Sequence, residues 1–211
     1  MRIMYFIILL FVVSGCGSES VPNIQNQDTP EQLKHKFFSA MIQGDQDAFM
    51  ESHWITDDTR DVYRLEFELI QLIRHLNDLM VKRFGEDAWS QFCKIKINDE
   101  SSSLTPIMLN VDKDGLANEI KLWQVEIKGD EAILRKPKKL IDHEITLKKV
   151  NGIWYVFYNY TSDRANYTRC DLKVYKTVLD NVGKPDMTLY KLKKIYMETD
   201  AKVYKDDMGI G

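Results

Sequence analysis

The sequence predicts an α+β protein in which N-terminal helices, one of them long, pack on a bent antiparallel sheet and a helical extension follows. Apolar residues recur at helical spacing across residues 58–84. Shorter runs that alternate between apolar and polar residues follow across residues 104–160, separated by turn signals such as Asn151-Gly152. Helical spacing returns after Thr161. Along the chain, helices are therefore expected both before and after the strands of the sheet.

The first 15 residues have the layout of a secretion signal. Arg2 precedes a run of ten apolar residues, 4–13, which is shorter than the about 20 residues that span a bilayer. The motif Val13-Ser14-Gly15-Cys16 resembles a bacterial lipobox. This resemblance implies removal of residues 1–15, acylation of Cys16, and a lipid-anchored protein on the extracytoplasmic side of a cell-envelope membrane. An ordinary secretory signal is the alternative.

A single domain behind a short tether is expected after the anchor. Residues 16–28 are polar and show no periodicity, as in a flexible tether. From Cys16 onward, 28 Lys and Arg (29 less Arg2) stand against 32 Asp and Glu, a formal balance of −4. This weakly acidic balance gives no electrostatic reason to bind nucleic acid, so the expected partner is the lipid bilayer, through Cys16.

Two short helices are predicted first. Thr29 is followed by a proline and then by Gln32, a capping box that begins a helix ending near Gly44. Asp45 can cap the next helix, whose apolar residues are expected to face inward, Trp54 among them.

A long helix is predicted over residues 58–84, with Gly85 placed to end it. At 1.5 Å per residue it would measure roughly 40 Å, enough to cross a small sheet. A short helix is expected at residues 87–92. Cys93 follows it, and with Cys170 it has two alternatives, a disulfide in an oxidising envelope or two buried thiols.

An antiparallel meander is predicted next, with strands at residues 104–111, 118–128, 131–136, 140–150 and 153–160. A change of parity near Leu122 suggests a bulge or bend. Ile145 and Leu147 share one face with His143, by alternation.

The strand 153–160 is apolar on both faces. We expect Tyr155 to face inward and Trp154, Val156 and Tyr158 to form an outer face that either the C-terminal region or another subunit covers. Helices over residues 163–182 and 186–204 would then make up a C-terminal extension, residues 161–211.

The order of elements resembles the nuclear transport factor 2-like superfamily. The resemblance covers residues 29–160 and lies in the turn Gly44-Asp45, the turn Gly129-Asp130-Glu131-Ala132 and the hairpin Val150-Asn151-Gly152-Ile153-Trp154-Tyr155-Val156. It implies a cone of helices wrapped by a bent sheet. Some members of that superfamily are enzymes that place Asp, His or Tyr inside the cone.

The resemblance makes His143 the first candidate for a polar group inside the cone, beside Tyr155, His53 or Asp57. Such a histidine can act as a general base when burial tunes its pKa. A hydrogen-bonded core histidine is the alternative. The sequence has no metal-ligand spacing among its four histidines and no cofactor motif, so neither a metal nor a cofactor is expected.

The sequence therefore favours a membrane-anchored lipoprotein of the cell envelope that binds other molecules without catalysis. Its partner would be an envelope protein, or a second copy in a homodimer, on the outer face of the sheet. A cone that binds a small molecule is the second hypothesis, and an enzyme that uses His143 as general base is the third.

Overall fold

The computed structural model describes residues 29–93, 115–136, 143–160 and 163–209. The predicted signal, the lipobox with Cys16, the tether and the predicted strand 104–111 lie outside these ranges. Within them the chain is α+β, with seven helices and one four-stranded antiparallel sheet. None of these helices combines the length and the apolar character that crossing a bilayer requires.

The elements follow the chain in an order close to the predicted one. The helices are α1 Pro30–Gln43, α2 Gln46–Glu51, α3 Arg60–Phe84, α4 Ala88–Cys93, α5 Leu116–Leu122, α6 Arg164–Val182 and α7 Leu189–Met208. The strands are β1 Gln124–Lys128, β2 Glu131–Lys136, β3 His143–Val150 and β4 Ile153–Val156. Neighbours in sequence are neighbours in the sheet, in the order β1-β2-β3-β4.

The predicted caps of α1 and α2 are confirmed. The Thr29 side chain accepts a hydrogen bond from the Gln32 N–H at 3.2 Å, and the Gln32 side chain accepts one from the Thr29 N–H at 3.0 Å. Gly44 ends α1 with a φ of +74°, in the left-handed region that favours glycine. Asp45 then caps α2 by accepting from the Ala48 N–H at 3.0 Å.

The expectation that Trp54 faces inward is wrong. The chain after α2 runs extended beside β4, and the Trp54 N–H donates to the Val156 carbonyl at 3.1 Å. In an extended segment successive side chains alternate between faces. His53 is therefore buried, whereas Trp54 turns outward and is 37% exposed.

The helix α3 confirms the long periodic segment and contributes to two apolar cores. Its 25 residues span about 37 Å. Phe67 and Ile70 pack into the sheet core with α1 and α2. Ile73 and Met80 pack into a second core, formed with α4, α6 and α7. One helix thus joins the sheet to the C-terminal helices.

The predicted strand 118–128 is only partly correct, because its first residues belong to α5. Leu116, Glu119 and Ile120 fall at helical spacing and are buried on one face of that helix. The parity change near Leu122 marks the junction of α5 with β1 rather than a bulge.

The predicted inner face of β3 is confirmed, since Ile145 and Leu147 are buried in the sheet core. The predicted outer face of β4 is wrong. Leu147 lies opposite Val156 in the ladder, and directly paired residues point to the same side of a sheet. Val156 and Trp154 are consequently buried, and Tyr158 packs against the same core.

The sheet core is filled with side chains. Phe37, Phe38 and Leu134 have no exposed surface, and the Trp123 ring lies 5.0 Å from that of Phe38, centroid to centroid. The inner face of the sheet is thus covered by the aromatic residues of α1 and by Trp123.

The predicted C-terminal helices are confirmed as α6 and α7, with a corrected cap. The Thr188 hydroxyl, rather than Asp186, caps α7 by accepting from the Lys191 N–H at 3.3 Å. Leu192 and Tyr196 turn inward from α7 into the second core.

Candidate functional site

The structure does not gather the predicted pocket residues. His53 is buried, Tyr155 is half-buried on the opposite side of β4, and Asp57 is exposed in the loop before α3. His143 begins β3, where its backbone lies opposite Lys136, and its side chain is outside the described set. His53 and Tyr155 are separated because they lie on opposite faces of the layer that β4 forms.

The polar residue His53 is instead the centre of a buried cluster, here called the His53 cluster, with Tyr63, Tyr158 and Tyr160. Ring centroids are 4.5 Å apart for His53 and Tyr63 and 5.9 Å for His53 and Tyr158. The Tyr160 ring lies 5.0 Å from that of Tyr63. The cluster lies where the end of α2, the start of α3 and the chain after β4 meet.

The protonation state of His53 follows from its contacts. Its Nδ1 lies 2.7 Å from the Phe49 carbonyl, so Nδ1 carries the proton and donates. Burial lowers the pKa of His53 to about 4, against the opposing effect of the Phe49 carbonyl. At neutral pH the ring is uncharged. Its Nε2 is then a buried acceptor with no hydrogen-bond partner among the described residues.

The tyrosines of the cluster are protonated donors. Burial, and then the nearby Glu66, raise the pKa of Tyr158 well above its usual value. Burial raises the pKa of Tyr63 to about 12, although a hydrogen bond with the backbone of Tyr158 opposes the shift. The Tyr158 hydroxyl, like His53 Nε2, is buried without a hydrogen-bond partner in the described ranges.

A largely buried ion pair borders the cluster and joins α3 to α6. Arg164 Nε donates to a Glu66 carboxylate oxygen at 2.6 Å, and the Thr168 hydroxyl donates to the same oxygen at 2.8 Å. Burial alone would lower the pKa of Arg164, but the Glu66 carboxylate outweighs it and the pKa is raised.

Sequence reasoning missed Tyr63, Glu66 and Tyr160 as site residues, and it placed Tyr158 on the outer face of the sheet. Glu66 did have a signal, because it falls at the spacing of the buried stripe of α3, four residues after Val62 and four before Ile70. A carboxylate within an apolar stripe indicates a buried partner.

A second polar network lies at the start of the sheet. Lys136 Nζ lies 2.5 Å from a Glu119 carboxylate oxygen, to which the Trp123 indole also donates at 3.2 Å. Lys34 Nζ donates to the Trp123 carbonyl at 2.9 Å and lies 2.6 Å from Glu31. These charges are matched within the network, which therefore fits a structural role. In the described part of the chain, no three His, Cys, Asp or Glu side chains are grouped as metal ligands.

Apolar side chains lie on the outer face of β4 and beside it, and they form what we call the outer patch: the exposed Trp54 and Ile153 and the half-buried Tyr155 and Phe157. Trp54 is 37% and Ile153 is 40% exposed. The Trp54 and Tyr155 rings meet edge to face at 5.4 Å, and Lys148 Nζ lies 4.2 Å above the Phe157 ring. The patch is therefore a preformed aromatic surface with a cation at its side.

Cys93 and Cys170 are present as thiols. Burial, and then Asp207, raise the pKa of the Cys170 thiol, which disfavours the reactive thiolate. The disulfide between them stays a prediction for an oxidising envelope, with two free thiols as the alternative. Labelling of free thiols under denaturing conditions distinguishes the two.

Comparison with known proteins gives no relative: no family model, no curated protein sequence and no solved structure matches this chain.

Proposed function

We propose that this chain is a lipid-anchored protein of the cell envelope and that its folded region is a non-enzymatic module that binds another protein at the outer patch. The lipobox motif at residues 13–16 supports the anchor. The turn motifs and the meander support a nuclear transport factor 2-like arrangement for residues 29–160. The main structural support for a binding role is the outer patch.

The distribution of apolar side chains favours binding on the outside over chemistry on the inside. The inner face of the sheet is packed with aromatic rings, and Trp123 is almost entirely buried. Trp54 and Ile153, in contrast, expose large apolar side chains next to Tyr155. Trp and Tyr dominate the energetically important positions of protein interfaces, because they bury large areas with little loss of side-chain freedom.

Photo-crosslinking from the patch tests this function. With p-benzoylphenylalanine in place of Trp54 in the full chain, irradiation of intact cells is expected to give a discrete adduct. The same group at Lys202, which is exposed on α7, is the matched control and should not give that adduct. An adduct of twice the chain mass identifies a homodimer, and another mass identifies an envelope protein. Absence of an adduct, or identical adducts from both positions, contradicts the proposal.

Replacing Cys16 with serine tests the anchor separately. Without its thiol the chain has no site for acylation, so we expect it to leave the membrane fraction and to lose incorporation of labelled fatty acid. A Cys93→Ser variant is the matched control and should fractionate like the parent protein. If the Cys16→Ser variant still incorporates the labelled fatty acid and stays in the membrane fraction, the proposed anchor is contradicted.

A second candidate function is the binding of a small polar molecule in the His53 cluster. The observation that favours it is the pair of buried atoms without hydrogen-bond partners, His53 Nε2 and Tyr158 Oη. Co-purified small molecules, identified by mass spectrometry after denaturation, would be absent from a His53→Phe variant. If the two proteins release the same molecules, this second function fails.

A further inference from the structure

The helix α7 presents an exposed stripe that no element of the described fold covers. Tyr190 is 77% and Met197 is 54% exposed, although both are large apolar side chains. Residues three, four and seven apart share one face of a helix, so Lys193 and Lys194 lie between them. The stripe, here called the α7 stripe, is therefore Tyr190, Lys193, Lys194 and Met197.

Charge along α7 is unevenly divided. Residues 189–197 contain Lys191, Lys193 and Lys194 and no acidic residue. Residues 198–208 contain four acidic residues and two lysines. The only acidic side chain that forms an ion pair with one of the first three lysines, in the described ranges, is Glu198, at 3.7 Å from Lys194. Both of those side chains are strongly exposed, so the pair is weak.

The fold holds this end of α7 in a fixed position. Leu192 and Tyr196 pack into the second core and so attach this end of α7 to it. Arg83, at the end of α3, donates to the carbonyls of Lys184, Pro185 and Met187 in the turn that precedes α7. These contacts fix the turn and the start of α7, so the stripe faces outward from a fixed position.

We infer that the α7 stripe rests on an anionic phospholipid surface, that of the membrane to which Cys16 is anchored. This inference rests on the anchor in the proposed function. Lys193 and Lys194 belong to the stripe and Lys191 lies beside it in the same turn of α7, which places three lysines near the bilayer. Lysines in this position attract anionic headgroups, and their long stems let the ammonium groups reach them. Tyrosine suits the boundary between headgroups and acyl chains, since it has an apolar ring and a polar hydroxyl.

The length of chain before the fold allows this contact. Twelve residues, 17–28, lie between Cys16 and Thr29. The predicted flexible tether of that length would have a mean span of about 20 Å and would reach about 45 Å when extended. The anchor thus keeps the fold within reach of the bilayer, where weak contacts suffice. The formal balance of the mature chain is −4 with these three lysines and −7 without them, 25 Lys and Arg against 32 Asp and Glu. This asymmetry favours one orientation, with the lysines toward the lipid and the acidic end of α7 away from it.

Vesicle sedimentation tests the inference without the anchor. The mature chain with Cys16→Ser carries no lipid, so its binding does not depend on whether Cys16 is acylated in cells. We expect it to sediment with vesicles of phosphatidylglycerol and phosphatidylcholine, more weakly as salt rises, and not with phosphatidylcholine alone. Changing Lys191, Lys193 and Lys194 to glutamine should lower the partition coefficient about 100-fold, at about fivefold per lysine.

A matched control changes the two lysines of the acidic half, Lys202 and Lys205, to glutamine. It should bind nearly as well as the parent, and a Tyr190→Ser variant should bind more weakly without losing the salt dependence. Circular dichroism confirms that each variant is folded. The inference is overturned by equal binding to neutral and anionic vesicles, by no binding to anionic ones, or by normal binding of the three-lysine variant. An acidic protein partner is then the alternative for the stripe.

Discussion

Replacing Glu66 with alanine is expected to lower the free energy of unfolding by about 3 kcal/mol, the low end for breaking a buried ion pair, because it leaves the largely buried Arg164 guanidinium without its carboxylate. The side chains of this pair are only 13% and 18% exposed, so solvent screens the lost attraction little. The Thr168 hydroxyl also loses an acceptor. Urea denaturation at pH 7, followed by circular dichroism, measures the change.

The exposed pair Glu68 and Lys176 is the matched control, because it joins α3 to the same helix, α6. Its side chains are 49% and 55% exposed, and Glu68→Ala should therefore cost less than about 1 kcal/mol. The double variant Glu66→Leu, Arg164→Met should recover much of the stability, since no buried charge is left without a partner. Equal losses for Glu66→Ala and Glu68→Ala would show that burial does not set the strength of the first pair.

The free energy of unfolding is expected to fall by about 3 kcal/mol between pH 6.5 and pH 4 on account of His53 alone. Burial holds its folded-state pKa at about 4, against 6.5 for an ordinary histidine, and each pKa unit corresponds to about 1.4 kcal/mol. As pH falls below 6.5 the unfolded chain takes up the proton first, so folding is disfavoured. Below pH 4 both states are protonated at this residue, and its contribution to the pH dependence ends.

A His53→Phe variant should lose this part of the pH dependence. Phenylalanine suits the ring cluster, and the Phe49 carbonyl still accepts from the Ser52 N–H at 3.1 Å. Both proteins should carry His35→Gln, because burial also lowers the pKa of His35. Tyr63 and Tyr158 face His53 but titrate far above this range. If the curves of unfolding free energy against pH are parallel for the proteins with and without His53→Phe, this part of the pH dependence does not come from His53.

Local signals in the sequence predicted the α+β class and most helices. The capping box at Thr29, the left-handed glycine at Gly44 and the long stripe of α3 each depend on residues a few positions apart. Such interactions are made within one element and can be read from its own residues. The cap of α7 was misplaced by two residues because two cap candidates, Asp186 and Thr188, stand close together.

The faces of β4 could not be predicted in the same way. Both faces are apolar, so alternation gives two equivalent solutions, and the pairing of Leu147 with Val156 decides between them. That pairing depends on the register of two strands. The register that buries Val156 also places Trp54 on the outer face and separates Tyr155 from His53. The His53 cluster was missed because its members come from distant parts of the chain and meet only after folding.

The way in which α3 serves two cores has a consequence for hydrogen exchange. Ile70 faces the sheet core and Ile73 faces the second core, less than one turn apart. When one core opens, this stretch of the helix stays packed against the other, so its backbone amides remain protected until both cores have opened. Amides in the middle of α3 should therefore exchange last, at the rate set by global unfolding.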